Sequence, residues 1–235
     1  MNDKQCYIHI EDAVIPQLIT SSMEAYQHHE LDTFGRKKRD KRLETFGLLW
    51  GYSIEFRAEV PYKIIVTMMT IETSAVRHRD WVRPSTNSIN DKIEFMREYW
   101  PNIELVETFH SHPYKDLDEV KHVKNGWDAS ESDIEFFNYF HKTYDIEQPA
   151  MAHIIVTLAK LQKRGWAFPD RLQGSNAESG YGLSIGDMKV WMKSYATFNE
   201  YSAEDEEGIV ILGPTDDVYL DIPSLQRKFS PFRNM

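Results

Sequence analysis

The chain has 235 residues and a formal charge of −10; apolar residues make up 41%, charged residues 27% and aromatics 13%. That composition excludes a disordered or collagen-like chain, the length suits one elaborated domain, and the acidic balance disfavours nucleic acid, whose phosphates need a positive surface. No stretch nears the roughly 20 apolar residues of a membrane span, residues 1–6 lack the apolar core of a secretory signal, and the single cysteine, Cys6, fits a reducing, cytoplasmic setting.

Val14, Leu18, Ile19, Met23 and Tyr26 recur at helical spacing and predict a helix over residues 12–30, with Pro16 tolerated only in its first turn. A basic run at 36–42 follows and reads as a solvated loop. Residues 45–52 and 62–69 read as strands, 77–84 as an Arg-rich loop. A helix over 88–99 is broken by Pro101-Asn102, and 103–109 is a third strand. Residues 114–129 read as a charged loop. The helix over 130–144 has a start signal, Ser130 at the N-cap and Asp133 three residues on. Residues 152–158 form a fourth strand, opened by a structural His153. The glycine-rich stretch 165–186 reads as turns and a long loop, and 189–198 as a strand. An acidic run at 204–207, a short apolar piece at 209–212 and a polar tail complete the chain. Strands and helices mix without strict alternation, so the class is α/β with a mixed sheet.

The informative stretch is Phe109-His110-Ser111-His112-Pro113. On an extended backbone, residues two apart point to the same side. His110 and His112 can therefore share one metal ion, with Pro113 expected to end the strand. A catalytic zinc site usually has three protein ligands and an open position. Asp133 is a candidate third ligand, although a helix N-terminus favours a carboxylate there in any case. Glu44, just ahead of the strand at 45–52, is the candidate base for taking a proton from a metal-activated water.

Glu44-Thr45-Phe46-Gly47-Leu48-Leu49-Trp50-Gly51 resembles the first signature of the JAMM (MPN+) metallopeptidases, a Glu followed by Gly-x-Leu-x-Gly. His110-Ser111-His112-Pro113 and Ser130-Glu131-Ser132-Asp133 resemble the second, His-x-His-Pro, a spacer, then Ser-x-x-Asp. The resemblance covers residues 8–200. It implies a single MPN (cytidine-deaminase-like) domain, a curved mixed sheet flanked by helices, with an insertion at 114–129 and a C-terminal extension at 201–235. It also implies one catalytic zinc ion on His110, His112 and Asp133, with Glu44 as general acid/base and Ser130 helping to stabilise an oxyanion. The spacer departs from the family: sixteen residues, Tyr114 to Ala129, separate Pro113 from Ser130, and Ala129 stands where a proline is common. That keeps Asp128, Asp116, Asp118 and His122 in play as rival third ligands.

Members of this family hydrolyse the bond after the C-terminus of ubiquitin or ubiquitin-like proteins. The resemblance therefore implies a ubiquitin-like protein and its conjugates as partners, without nucleic acid or membrane, and with room for a homodimer or an operon partner. Residues 72–84, including Arg77, Arg79 and Trp81, are expected to flank the extended tail of the substrate. The compact size points to a stand-alone bacterial deconjugase. Two readings compete: a catalytically silent MPN scaffold that binds partner proteins, and a cysteine protease using Cys6, for which no framing motif exists.

Overall fold

The computed structural model describes residues 6–28, 42–54, 62–123, 126–145, 147–201 and 209–226. The basic run up to residue 41 and the acidic run at 204–207 lie outside them. Strand β1 (Cys6–Ile10) buries Cys6, Ile8 and Ile10 and half-buries Tyr7 and His9, the alternation of a half-covered strand. Helix α1 (Val14–Gln27) buries Val14, Leu18, Ile19, Ala25 and Tyr26 along one stripe, with Pro16 in its first turn. Strands β2 (Phe46–Ile54) and β3 (Tyr62–Ile71) are antiparallel neighbours. A small ribbon, β4 (Val76–Arg77) with β5 (Val82–Arg83), occupies the expected loop, and α2 (Thr86–Tyr99) starts where Ser85 Oγ accepts from the Ser88 N–H. Then come β6 (Glu104–Asp116), α3 (Leu117–His122), α4 (Glu131–Tyr144) and β7 (Ala150–Lys160). The chain continues through β8 (Ala167–Arg171), β9 (Gly180–Ile185), β10 (Met188–Tyr201), β11 (Ile209–Thr215), β12 (Val218–Asp221) and α5 (Pro223–Gln226).

Three sequence expectations are corrected here. Residues 114–129 are not a bare loop: they hold the end of β6 and all of α3. The stretch 165–186 contains β8 and β9, and its glycines serve close packing as well as turns. A Cβ at Gly180 would sit 2.3 Å from the Met192 carbonyl oxygen of the neighbouring strand. The polar tail supplies β12, whose Val218 and Leu220 are fully buried.

The architecture is mixed α/β. One sheet runs in the order β12-β1-β3-β2-β6-β7-β10-β9-β8, with β11 added to the far end of β10. Three of its pairings, β12 with β1, β1 with β3 and β6 with β7, are parallel. The sheet curls strongly, so that its two ends meet. The Leu220 N–H on β12 donates to Glu178 O at 2.9 Å, and Arg171 Nη1 donates to Leu220 O at 2.8 Å. On one face α1 covers a large apolar core that includes Ile8, Leu49, Phe109 and Ile154. On the other, α2 and α4 cover Phe46, Leu48, Trp50 and Leu105. Among the described residues no helix is long and apolar enough to cross a membrane.

One core residue is chemically out of place. Glu107 on β6 is fully buried, faces Leu49 on β2 and Ala152 on β7, and neither carboxylate oxygen has a hydrogen-bond partner among the described residues. Burial pushes its pKa well above the usual carboxylate range. Cys6 is pushed up too, by burial first and by Glu107 second, which leaves its thiol un-ionised and unsuited to nucleophilic work. A raised folded pKa means that Glu107 is tolerated fully below its unfolded value near 4.3 and costs stability as pH rises from there. We predict that Glu107→Leu raises stability by about 1–3 kcal/mol at pH 8 and by much less at pH 4.5. Denaturant titrations at the two pH values measure this; an equal or smaller stability for the variant at pH 8 would show that the carboxylate has a partner.

Candidate metal centre

β6 outruns β2. The register pairs Phe46 with His110, and one step further the Ser111 N–H donates to Thr45 O at 3.0 Å while the Thr45 N–H donates to Ser111 Oγ at 3.0 Å. Continuing that register sets Glu44 opposite His112, so Glu44, His110 and His112 share the α4 side of the sheet. Pro113 does not end the strand, contrary to expectation. β6 continues to Asp116 against β7 alone. Pro113 nitrogen faces the same way as the Ser111 N–H, past the start of β2, where no ladder bond is lost.

Helix α4 brings the carboxylate. Ser130 Oγ accepts from the Asp133 N–H at 3.2 Å, and Asp133 Oδ2 accepts from the Ser130 N–H and from Ser130 Oγ, each at 2.7 Å. This is a reciprocal capping box. The same carboxylate reaches the histidines: His110 Nε2 is 3.1 Å from Oδ1, and His112 Nε2 is 3.4 Å from Oδ2. Capping and metal ligation are therefore compatible roles for Asp133.

His110, His112 and Asp133 form a group whose ligand atoms lie within 4.8 Å of one another and could hold a metal ion. The two imidazole Nε2 atoms are 3.0 Å apart. A tetrahedral ion with ligand bonds near 2.0–2.1 Å needs donor spacings of about 3.3 Å, close to the 3.0, 3.1 and 3.4 Å found here, so the donor set suits a small divalent ion. The charges agree. Burial alone would raise the pKa of Asp133, but His110 and His112 hold it far below the usual carboxylate range. Burial would lower that of His112, but Asp133 and Glu44 outweigh it and the value is raised. Glu44 is 7% exposed; burial lifts its pKa to about 8, with His112 pulling down and Asp133 and Asp80 pushing up.

The rival ligands have other occupations. Asp128 accepts from Lys193 Nζ. Asp116 Oδ1 caps α3, accepting from the Asp118 and Glu119 N–H groups, while Asp118 and His122 are exposed on that helix. Of the residues expected to flank a substrate, Arg79 and Trp81 line a cleft of about 700 Å³ that also holds Glu44, His110, His112, Ser130 and Asp133. Arg79 is ion-paired with Glu119 of α3, and Trp81 stacks on His78 at 5.3 Å. Arg77 is not on the cleft wall. Within the insertion, Leu117, Val120 and Trp127 join a small core with Ala159, Leu172 and Trp191.

Sequence reasoning missed the supports. Lys193, 3% exposed, donates to Asp128, to Asn176 Oδ1 at 2.7 Å and to Asp216 Oδ2 at 2.9 Å. Tyr195 OH accepts from the Ala129 N–H at 2.8 Å. Together they pin the residues just ahead of Ser130. The available signal was Lys193 two residues from Trp191 and Tyr195 on a strand rich in bulky apolar residues, because an ammonium buried there needs partners.

Behind the metal group runs a hydrogen-bond chain whose proton order follows from its end. His141 Nε2 is 2.9 Å from Gln148 O, which only accepts, so Nε2 carries the proton and Nδ1 is a lone pair. Thr197 therefore donates to His141 Nδ1 at 2.8 Å; its other acceptor, Met151 O, is farther, at 3.4 Å. Its proton spent, Thr197 accepts from His153 Nε2 at 3.1 Å, and Thr108 Oγ1 donates to His153 Nδ1 at 2.8 Å. Burial drives both imidazoles towards neutrality, His153 furthest. His153 stacks on Phe137 at 4.3 Å, and Phe137 lies 5.8 Å from the ring of His110.

The sequence matches no protein-family model and none of the curated proteins.

We predict that His141 and His153 are neutral, Nε2-protonated tautomers at about pH 7, with His153 keeping that state to lower pH than His141, and that Thr197→Val costs about 1–3 kcal/mol by stranding a donor and an acceptor. Because both folded values are lowered, these residues cost stability as pH falls below about 6.5. Imidazole nitrogen NMR against pH reads the tautomers; a titrating His153 would refute the proton order.

Proposed function

We propose that the chain is a JAMM-type zinc metallopeptidase with an MPN fold, which hydrolyses the peptide or isopeptide bond after the C-terminus of a ubiquitin-like protein. The observation that carries this reading is the placement of Glu44. A buried carboxylate outside the ligand set lies on the same sheet face as His110 and His112, in the cleft that contains Asp133. A structural metal site has no use for such a base.

His110, His112 and Asp133 would hold the ion. When bound, zinc supplies a Lewis acid that polarises a carbonyl and brings the pKa of a ligated water near neutrality. Glu44 takes up the proton released as water attacks, and passes it to the nitrogen of the leaving amine. Its pKa of about 8 in the metal-free protein falls towards the working pH once a cation is near, a range that suits a group acting first as base and then as acid. Ser130 has one hydroxyl proton, now donated to Asp133. It can serve a developing oxyanion only after release from that carboxylate.

The cleft supports an extended substrate. Its wall includes Trp81, Val82 and Arg83 of the β4–β5 ribbon, which pairs with no third strand among the described residues. A flexible C-terminal tail could add to that ribbon by backbone hydrogen bonds. Phe136 and Tyr139 of α4 line the same cleft.

The test measures bound zinc and cleavage of a panel of ubiquitin-like fusions by the wild type, Glu44→Ala and Asp133→Ala. We predict about one zinc per chain in the wild type and in Glu44→Ala, loss of zinc in Asp133→Ala, and a fall in cleavage of about a hundredfold to ten-thousandfold in Glu44→Ala. Undiminished cleavage by Glu44→Ala would remove Glu44 from the mechanism. A wild type that binds no zinc would return the protein to the scaffold reading.

A further inference from the structure

Two exposed aromatic clusters remain unexplained by the cleft. The first is on α2. That helix buries Ile89 and Met96, yet Phe95, Tyr99 and the following Trp100 are 51%, 59% and 50% exposed. They pack against one another instead as tilted rings, with centroids 4.9 to 6.4 Å apart. Asp91, Glu94 and Glu98 are exposed on the same helix and outnumber its one exposed base, Arg97, so the border of the cluster is acidic on balance.

The second cluster is on the loop from β7 into β8. Every residue from Gln162 to Phe168 is exposed. Trp166 and Phe168 meet edge to face at 4.2 Å, beside Lys163 and Arg164. The loop has a fixed base: the Leu161 N–H donates to Asp187 O at 2.7 Å and the Gly165 N–H to Gly186 O at 2.8 Å. In a chain of net charge −10 this is a local basic outcrop.

The two clusters sit at opposite ends of one strand pair. β6 and β7 are parallel. Trp100 comes four residues before β6 begins, and Lys163 three residues after β7 ends. β6 has 13 residues, so about 40 Å of strand separates the two ends and the clusters of one molecule cannot meet. Exposed apolar side chains that gather into a patch mark interaction sites, whereas singly scattered ones do not.

We propose that the chain self-associates head to tail, the basic aromatic loop at residues 163–168 of one copy seated on the acid-bordered aromatic face of α2 in the next. The opposite charges select a second copy as the occupant. Because the two surfaces differ, the contact is heterologous and builds a ring or a filament. Five aromatic side chains make a small interface, below about 1,200 Å² in total, so association is weak and depends on concentration. The charge contribution weakens with salt. None of this depends on the metal centre.

Sedimentation velocity on the full chain tests it, over about a hundredfold range of concentration at about 0.05 and 0.5 M salt. The wild type is expected to sediment faster as concentration rises, and less so in high salt. K163E/R164E and E94K/E98K should each remain monomeric. An equimolar mixture of the two should associate again, because each reversed surface then finds its complement. All four substituted positions are exposed, so both variants should fold, which circular dichroism verifies. A wild type that stays monomeric throughout overturns the proposal. So does association that survives either charge reversal, or a mixture that fails to associate.

Discussion

The paired hydrogen bonds between Thr45 and Ser111 hold the start of β2 against the middle of β6, and the geometry of the metal group depends on where that pairing stops. Up to His110 the strand is flanked on both sides; beyond Ser111 it has only β7. The missing neighbour opens a cleft at the point where two imidazoles lie side by side. It also leaves Glu44, two residues ahead of Phe46 where β2 begins, at the cleft instead of inside a ladder.

The carboxylate arrives from a helix start whose position is set elsewhere. Lys193 and Tyr195, both on β10, fix Asp128 and Ala129, and Ser130 then begins the helix. The buried ammonium has three acceptors for its three protons, so its desolvation is compensated. The ligand from α4 is thus referenced to the same sheet that carries the two histidines, through β10 and β7. Behind them, Phe137 and the neutral His153 close off the space under His110 with no competing charge. This is how a site assembled from two distant segments keeps ångström spacing.

Much of the site was legible in the sequence because its signals are local. Two residues on an extended strand share a side, so His110 and His112 could be paired on sight. Ser130 and Asp133 announce a helix start at a fixed offset. Gly47 in the first motif has a packing reason, since a Cβ there would lie 2.3 Å from the Phe109 ring and 2.7 Å from Thr70 O. What escaped was non-local. β1 and β12 are short, and their pairing joins residues more than 200 apart, as in the His9–Asp221 contact with a separation of 212. Nothing within either segment reveals that partner. Pro113 was expected to stop a strand because the loss of a neighbour on its nitrogen side was invisible. Arg77 was grouped with Arg79 and Trp81 by proximity in sequence, but the β4–β5 ribbon turns it off the cleft wall.

The parallel contact between β1 and β12 also bears on how the molecule is made. Synthesis delivers β1 long before β12, so a nascent chain carries β1 with one edge unpaired until β12 has been made. The curled sheet cannot join its ends until residue 221 has left the ribosome, because Leu220 bonds across the seam. Closure therefore waits on segments more than 200 residues apart, and its ring of long-range pairings belongs to the slow class of folding topologies. During that interval the apolar edge of β1 is open to any other strand, which makes a covering partner such as a chaperone most useful to this protein before its last strand arrives.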